Sequence, residues 1–311
     1  MIVVAGEALV DLVPDTATVG RELPLLAPRL GGGPYNVAVS AGRLGAPTAF
    51  LSRISEDHFG EALLARLRAA AVDTTLLQRG PEPTTLAVVG LGVDGSARYT
   101  FHAHGTADRL FTDPGVLPEQ ISVLSLGTLS LVLEPGASGY ETVLRRAAAD
   151  GVLTVLDPNI RAALIDDAAA YRARFESWLP DLGLLKMSEE DARWLADLPS
   201  GELSQALTGW LSKGPAAVVL TRGGAGLAAV TSSSVVEVPA TPSTVVDTIG
   251  AGDTVHGALL AWLHGQGVGS VAEVRALAAG DWREALGFAA AAAAVTVSRA
   301  GAEPPYSAEL V

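Results

Sequence analysis

Short apolar runs alternate with Ala- and Leu-rich stretches of helical periodicity along nearly the whole chain, and this rhythm limits the fold more than any other feature. Ile2–Ala5, Thr48–Ser52, Leu86–Leu91, Val123–Leu126, Leu153–Asp157, Leu182–Met187, Ala217–Thr221 and Gly226–Val230 read as strands. Tyr35–Leu44, Gly60–Ala71, Gly136–Asp150, Ala168–Leu179, Glu189–Leu195 and Trp282–Val297 read as helices. The alternation predicts an α/β fold, a mainly parallel central sheet flanked by helices on both faces. Ligands of such sheets bind beyond the carboxyl ends of the strands. The alanine run Ala289 to Ala294 lies inside the last helical pattern, and helix propensity accounts for it.

Two segments break the rhythm. Val13 to Leu30 is proline-rich without helical periodicity, and Thr84 to His104 carries a hairpin signal at Val93-Asp94-Gly95-Ser96 between alternating apolar positions. Together, residues 13–30 and 84–104 predict a small β-sheet lid inserted into a single domain spanning 1–311.

Composition narrows the functional class. With 49% hydrophobic residues the chain can bury a large core, and no apolar run reaches the roughly 18 residues of a membrane span. Met1 to Ala5 lacks a basic flank and reads as a first strand rather than a signal peptide, so the cytoplasm is the expected compartment. Without cysteine there are no disulfides, zinc thiolates or thiol nucleophiles. The formal charge is −13, the only lysines are Lys186 and Lys213, and no Lys/Arg cluster stands out, which argues against nucleic acid and anionic membranes as partners.

The stretch that carries chemistry is Asp247-Thr248-Ile249-Gly250-Ala251-Gly252-Asp253. A β-branched run, Ser243 to Val246, precedes it and an apolar-periodic segment, Thr254 to His264, follows, so it reads as strand, glycine turn, helix. Glycines there allow close backbone approach, and the first-turn N–H groups and helix dipole make an anion site. A lone Asp at a helix start is ordinarily a dipole-favoured decoration. Beside a nest of donors, Asp253 can instead take a proton from a nucleophile attacking a phosphoryl group. A nicotinamide site fails on spacing, because the next glycine after Gly252 is Gly257, and no glycine-Lys-Ser/Thr ending marks a P-loop.

Asp247 to Ala258 resembles the C-terminal signature of the ribokinase-like (PfkB) family of sugar and nucleoside kinases. Gly31-Gly32-Gly33-Pro34-Tyr35-Asn36-Val37-Ala38, continuing through Arg43-Leu44-Gly45 to Gly60, resembles its upstream signature. The similarity runs from Gly6 to Pro305 and is nearest to fructokinases within the family. It implies a ribokinase-like fold whose lid covers the sugar, excludes water that would hydrolyse ATP, and often serves as a homodimer surface. It further implies ATP with Mg²⁺ and, most simply, transfer of the γ-phosphate to the primary hydroxyl of a neutral ketose, fructose to fructose 6-phosphate. Keto-deoxygluconate, ribose or a nucleoside are alternative substrates, and a non-catalytic sugar sensor on the same fold is the alternative outside the enzyme class.

The resemblance also assigns residues. Asp253 becomes the general base, with Gly250, Ala251 and Gly252 supplying backbone N–H groups to the developing charge. Gly6-Glu7-Ala8-Leu9-Val10-Asp11 looks like the fructokinase N-terminal pattern, which tips Asp11 from a turn or cap residue toward sugar binding; Glu7 receives no role. Gly32, Gly33 and Asn36 would complete the sugar grip, a role compatible with Asn36 capping a helix. In the lid strand, Phe101 and His104 read as sugar contacts; keto-deoxygluconate kinases tend to carry Arg at the latter position. Asp157-Pro158-Asn159-Ile160-Arg161 lies near phosphates and substrate in relatives, and Arg161 stays open between stabilising phosphoryl charge and forming a surface ion pair.

Lys186-Met187-Ser188-Glu189-Glu190-Asp191 resembles the Mg²⁺-linked acidic motif, with Ser188 where many members have Asn and Asp191 where Glu is usual. The shorter acid points to water-mediated rather than direct metal contact. Thr221-Arg222-Gly223-Gly224-Ala225-Gly226 resembles the nucleotide-binding loop, although such glycines more often mark a hairpin turn. The alanine-rich segment before Gly301-Ala302 would pack by the adenine. Asp247 and Ile249 match positions that hold K⁺ in many relatives. Val255 replaces a frequent aromatic, and His256 receives no role.

Overall fold

The computed structural model describes residues 1–15, 18, 23–91, 97–198 and 202–310. The chain opens with β1 (Ile2–Ala5), β2 (Leu9–Pro14), β3 (Leu26–Gly31), α1 (Gly33–Arg43), β4 (Thr48–Ser55) and α2 (His58–Ala69). It continues through β5 (Leu77–Gly80), β6 (Thr85–Leu91), β7 (Ala97–His102), β8 (Val123–Gly127), α3 (Gly136–Ala149), β9 (Leu153–Asp157) and α4 (Ala168–Trp178). The remainder comprises β10 (Leu184–Ser188), α5 (Glu189–Leu195), α6 (Ser204–Leu211), β11 (Ala217–Thr221), β12 (Leu227–Thr231), β13 (Val235–Val238), α7 (Ala251–Gly265), α8 (Val271–Ala276) and α9 (Ala279–Val297).

Among the described residues the central sheet has nine strands in the order β13-β12-β11-β10-β9-β8-β1-β4-β5. It is parallel from β11 to β5, and β12 and β13 add an antiparallel edge. Every residue of β1, β8 and β9 is buried, as expected when both faces of a parallel sheet are covered. Alternation sorts the layers. Ile2 and Val4 face the core built with α1, α2, α7, α8 and α9, whereas Val3 and Ala5 face the one built with α3 to α6.

Strand order reverses at β1, which pairs with β4 on one side and β8 on the other. Such a switch point opens a crevice at the carboxyl end of the sheet. From β1 the chain passes through Gly6, Glu7 and Ala8 directly into a second, four-stranded sheet of order β3-β2-β6-β7. This smaller sheet therefore stands over the crevice. It begins at Leu9, so Asp11 lies within one of its strands, opposite Arg29 and Ala87, rather than after a core strand. The hairpin signal at 93–96 falls outside the described residues. Ser243 to Val246 is not a strand: Val245 and Val246 are exposed, and the Val246 N–H bonds to Val297 O across from α9.

Candidate active site

The crevice at the switch point is a cleft of about 300 Å³, and the first turn of α7 forms one wall. Gly250 is the N-cap with φ of 75°, a left-handed conformation that favours glycine; a Cβ there would also meet Ala302. The Thr254 N–H is taken by Gly250 O at 2.8 Å and that of Ala251 by Thr248 O at 3.3 Å. The donors between them, on Gly252 and Asp253, are the first-turn groups a helix leaves for a ligand. Asp253 reaches into the cleft, where Asn36 Nδ2 donates to its Oδ2 at 2.9 Å. Burial pushes its carboxyl up to about 6, against the Asn36 hydrogen bond and the nearby Lys186 charge.

α1 supplies the facing wall. Its N-cap is Gly32, with Pro34 in the first turn, so Asn36 sits inside the helix and bonds its own N–H to Gly32 O. The amide of Asn36 is thus a partner of the carboxylate at 253, and its Oδ1 is left without one. A Cβ at Gly32 would press on Glu7 O and one at Gly33 on Thr128 Oγ1, so both glycines let α1 start against β1 and β8.

The small sheet closes the cleft from above. Asp11, Tyr99 and Phe101 line it, and the two rings stack with centroids 6.0 Å apart. Burial raises the Asp11 carboxyl to about 6, helped by the Asp253 charge and opposed by Arg161. His104 is exposed and outside the cleft, which corrects the sequence expectation. Tyr99 and Phe101 share one face by strand alternation and His102 falls on the other, while His104 lies in the turn beyond the strand.

Arg161 enters the cleft instead of pairing at the surface. Its Nη1 is held by Asn159 O, Asn159 Oδ1 and Ile160 O, and among the described residues no carboxylate hydrogen-bonds to it.

A second pocket, of about 600 Å³, adjoins the first. Thr221, Gly223, Gly224 and Gly226 line one side, and Ala290, Ala293 and Ala294 of α9 the other. Small side chains on α9 therefore open space as well as favouring helix, more than propensity alone explains. Val255 also lines this pocket, while Gly301 and Ala302 lie elsewhere, in a space lined by residues of β2 and β3. Thr248 and Gly252 belong to both spaces, so the two clefts meet at the glycine turn.

The remaining expected residues are placed as follows. The Arg222 side chain turns away to Glu237 at 2.6 Å. Ser188 is the N-cap of α5, bonded to the Asp191 N–H at 2.9 Å. Asp191 accepts from the Ser188 and Ile160 backbones, a bridge between two loops. Among the described residues no three acids or histidines gather to hold a metal ion. Lys186 lies outside the second pocket; it is buried, and its Nζ comes within 3.4 Å of where a Gly252 Cβ would stand. Asp247 bonds the Ile249 and Gly301 N–H groups and ties the loop to the C-terminal segment.

Several lining residues were not singled out from sequence: Glu7, Tyr99, Thr128, Leu129, Asn159 and Thr248. Thr128 (φ 62°) and Asn159 (φ 38°) occupy the left-handed region at the ends of β8 and β9. The rule that ligands bind beyond strand ends points to both. Glu7 is almost fully buried and raised to about 8 by burial, with Oε2 accepting from the Ser130 N–H.

An anion turn with a carboxylate, set between a polar cleft and a larger pocket, suits phosphoryl transfer. The model of the pfkB family of carbohydrate kinases matches residues 1–309, and the chain belongs to that family. It is 39% identical over 265 residues to a fructokinase of Rhizobium leguminosarum bv. trifolii, covering 85% of this chain and 79% of that one. The structure of a fructokinase with bound ATP from Xylella fastidiosa superposes with a TM-score of 0.88 at 26% identity, covering 99% of this chain and 97% of that one. A fructokinase from Vibrio cholerae O395 in a fructose-, ADP- and calcium-bound form gives 0.84 at 26%, with coverage of 99% and 97%.

Proposed function

We propose that this protein transfers the γ-phosphate of ATP to the primary hydroxyl of fructose, giving fructose 6-phosphate. The observation that carries the reading is the meeting of the two pockets at Thr248 and Gly252, with Asp253 on the polar side of the junction. The sugar occupies the polar cleft, gripped by Asp11, Gly32, Gly33 and Asn36 under Phe101. ATP occupies the larger pocket between the Thr221–Gly226 loop and α9. The sugar hydroxyl gives its proton to Asp253 as its oxygen attacks the γ-phosphorus, the bond from that phosphorus to the β,γ-bridging oxygen breaks and ADP leaves, and the N–H groups the turn leaves open, on Gly252 and Asp253, with Arg161 and Lys186, bear the charge on the phosphoryl oxygens. Mg²⁺ neutralises phosphate charge when bound, and K⁺ is assigned beside the turn at Asp247 and Ile249. The chain acts as one domain with the small sheet as its lid, pairs with a second copy through that lid, and works in the cytoplasm, where ATP is supplied.

Arg161 favours one second reading. A guanidinium in the cleft without a bonded carboxylate suits an acidic sugar such as 2-keto-3-deoxygluconate, although Asp11 beside it opposes a second negative charge. ADP release with Mg-ATP against fructose, ribose, tagatose, adenosine and 2-keto-3-deoxygluconate, with and without K⁺, decides between them. Preference for fructose is expected; preference for the acid would move the substrate assignment, and binding without turnover would leave a sensor. Asp253→Asn should lower turnover by roughly 10²–10⁴ with both ligands still bound. Unchanged turnover would remove Asp253 as the base.

A further inference from the structure

Beneath the first turn of α7 lies a file of four buried polar side chains, three of which have no part in the reaction proposed above. Ser125 comes from β8, Asp157 from the end of β9, Lys186 from β10 and His256 from α7, and none is more than 5% exposed. Asp157 Oδ2 accepts from Lys186 Nζ at 2.7 Å and lies 3.5 Å from His256 Nδ1. His256 Nε2 and Ser125 Oγ are 3.1 Å apart. The Lys186 ammonium abuts Gly252, in the turn that would gather phosphate charge. The base adjoins the same group, because Asp253, Asp157, His256, Ser125 and Thr128 wall one small cavity.

Such a cluster is a poor device for stability. Taking a Lys–Asp pair out of water costs several kcal/mol per ion, and apolar side chains of similar volume would avoid that cost. Among the described residues Asp157 Oδ1 also has no hydrogen-bond partner. What the cluster does supply is direction. The polar contacts that cross from the sheet to α7 are directional: His256 meets Ser125 of β8 and Asp157 of β9, and Lys186, held by Asp157, stands under Gly252.

We propose that Asp157 and His256 are positioning residues: with Lys186 they clamp the first turn of α7 on the sheet and aim Asp253, and Asp157 sets how much of the Lys186 charge reaches it. The inference rests on Asp253 being the base. The groups that face Asp253 are Asp11 from β2, Asn36 from α1, Asp157 from β9, Arg161 beyond it, Lys186 from β10 and His256 from α7 itself. Lys186 and Arg161 favour its ionisation and the two aspartates oppose it. His256 is held neutral by burial and adds no charge.

The test compares wild type, Asp157→Asn, Lys186→Met and His256→Gln by two readouts, the ¹³C titration of the Asp253 carboxyl and the acid limb of the kcat–pH profile. D157N should move both to lower pH by about half a unit or more, K186M should move both higher, and H256Q should leave them in place. At the pH optimum D157N and K186M should lose about 10- to 100-fold in kcat, the range typical when groups orienting a reactive ligand are removed, with the fructose KM changed less than about threefold. A titration unmoved in both charge variants, with activity falling only as Tm falls, would overturn the clamp. If D157N does not fold, K186M carries the test alone through its opposite sign. The carboxyl titration needs no sugar, so a wrong substrate assignment shows separately, as wild-type enzyme that releases no ADP with fructose.

Discussion

Asp253 shows how one side chain can be tuned by four neighbours far apart in the sequence. Burial raises it, the Asn36 amide and the Lys186 and Arg161 charges lower it, Asp157 raises it, and the balance lies at about 6. A base must be ionised to accept a proton, so kcat/KM for the sugar should be flat above about pH 7 and fall with unit slope below about pH 6. The Asp11 carboxyl, also at about 6, should steepen that fall if it grips the sugar as an anion. A profile that stays flat to pH 4.5 would contradict the assignment. Asp253, Asp11 and the glycines were legible in the sequence because each lies in a contiguous motif. Glu7, Tyr99, Thr128 and Asn159 were not, since only topology brings strand ends and a lid strand together. His256, in plain view beside Asp253, had no reading until Asp157 and Ser125 were seen beside it.

Between elements, the crossing of α1 and α7 sets the site, since one carries Asn36 and the other Asp253. The helices cross at Gly257, where a Cβ would stand 2.8 Å from Val37 O and 2.5 Å from Ser40 Cβ. Gly257→Ala should therefore push the helices apart and stretch the 2.9 Å bond between Asn36 and Asp253. Overpacking of this kind costs roughly 1–3 kcal/mol, so a lower Tm is expected together with a fall of about tenfold in kcat. A variant with a lower Tm but full kcat would separate the crossing from catalysis. Most elements were legible because their apolar period is long or both faces are buried. The misses are short or marginal: β5, β13, α6 and α8 each have at most eight residues. Ser243 to Val246 has strand-like side chains but no strand beside it, and β-branching alone does not make a ladder.

At the scale of the whole molecule, the small sheet has an edge at β3, preceded by an apolar patch: Leu23 is 85% exposed and Leu25 59%. Covering that patch and edge is the physical case for pairing through the lid. Sedimentation should give twice the 31.7 kDa chain mass, and Leu23→Ser with Leu25→Ser should return the monomer. A wild type that sediments as a monomer at micromolar concentration would rule the pairing out. The lid itself was legible as a break in the α/β rhythm, but its start at Leu9 was not, because β1 runs through three residues into β2 with no change of composition. The shared boundary of the two clefts at Thr248 and Gly252 has a practical consequence. A ketose and an adenosine joined by a phosphate tether would see each other at the effective concentration of a short linker, in the millimolar range. Such a conjugate should inhibit far better than either half, and the shortest tether that does so would measure the path past Gly252.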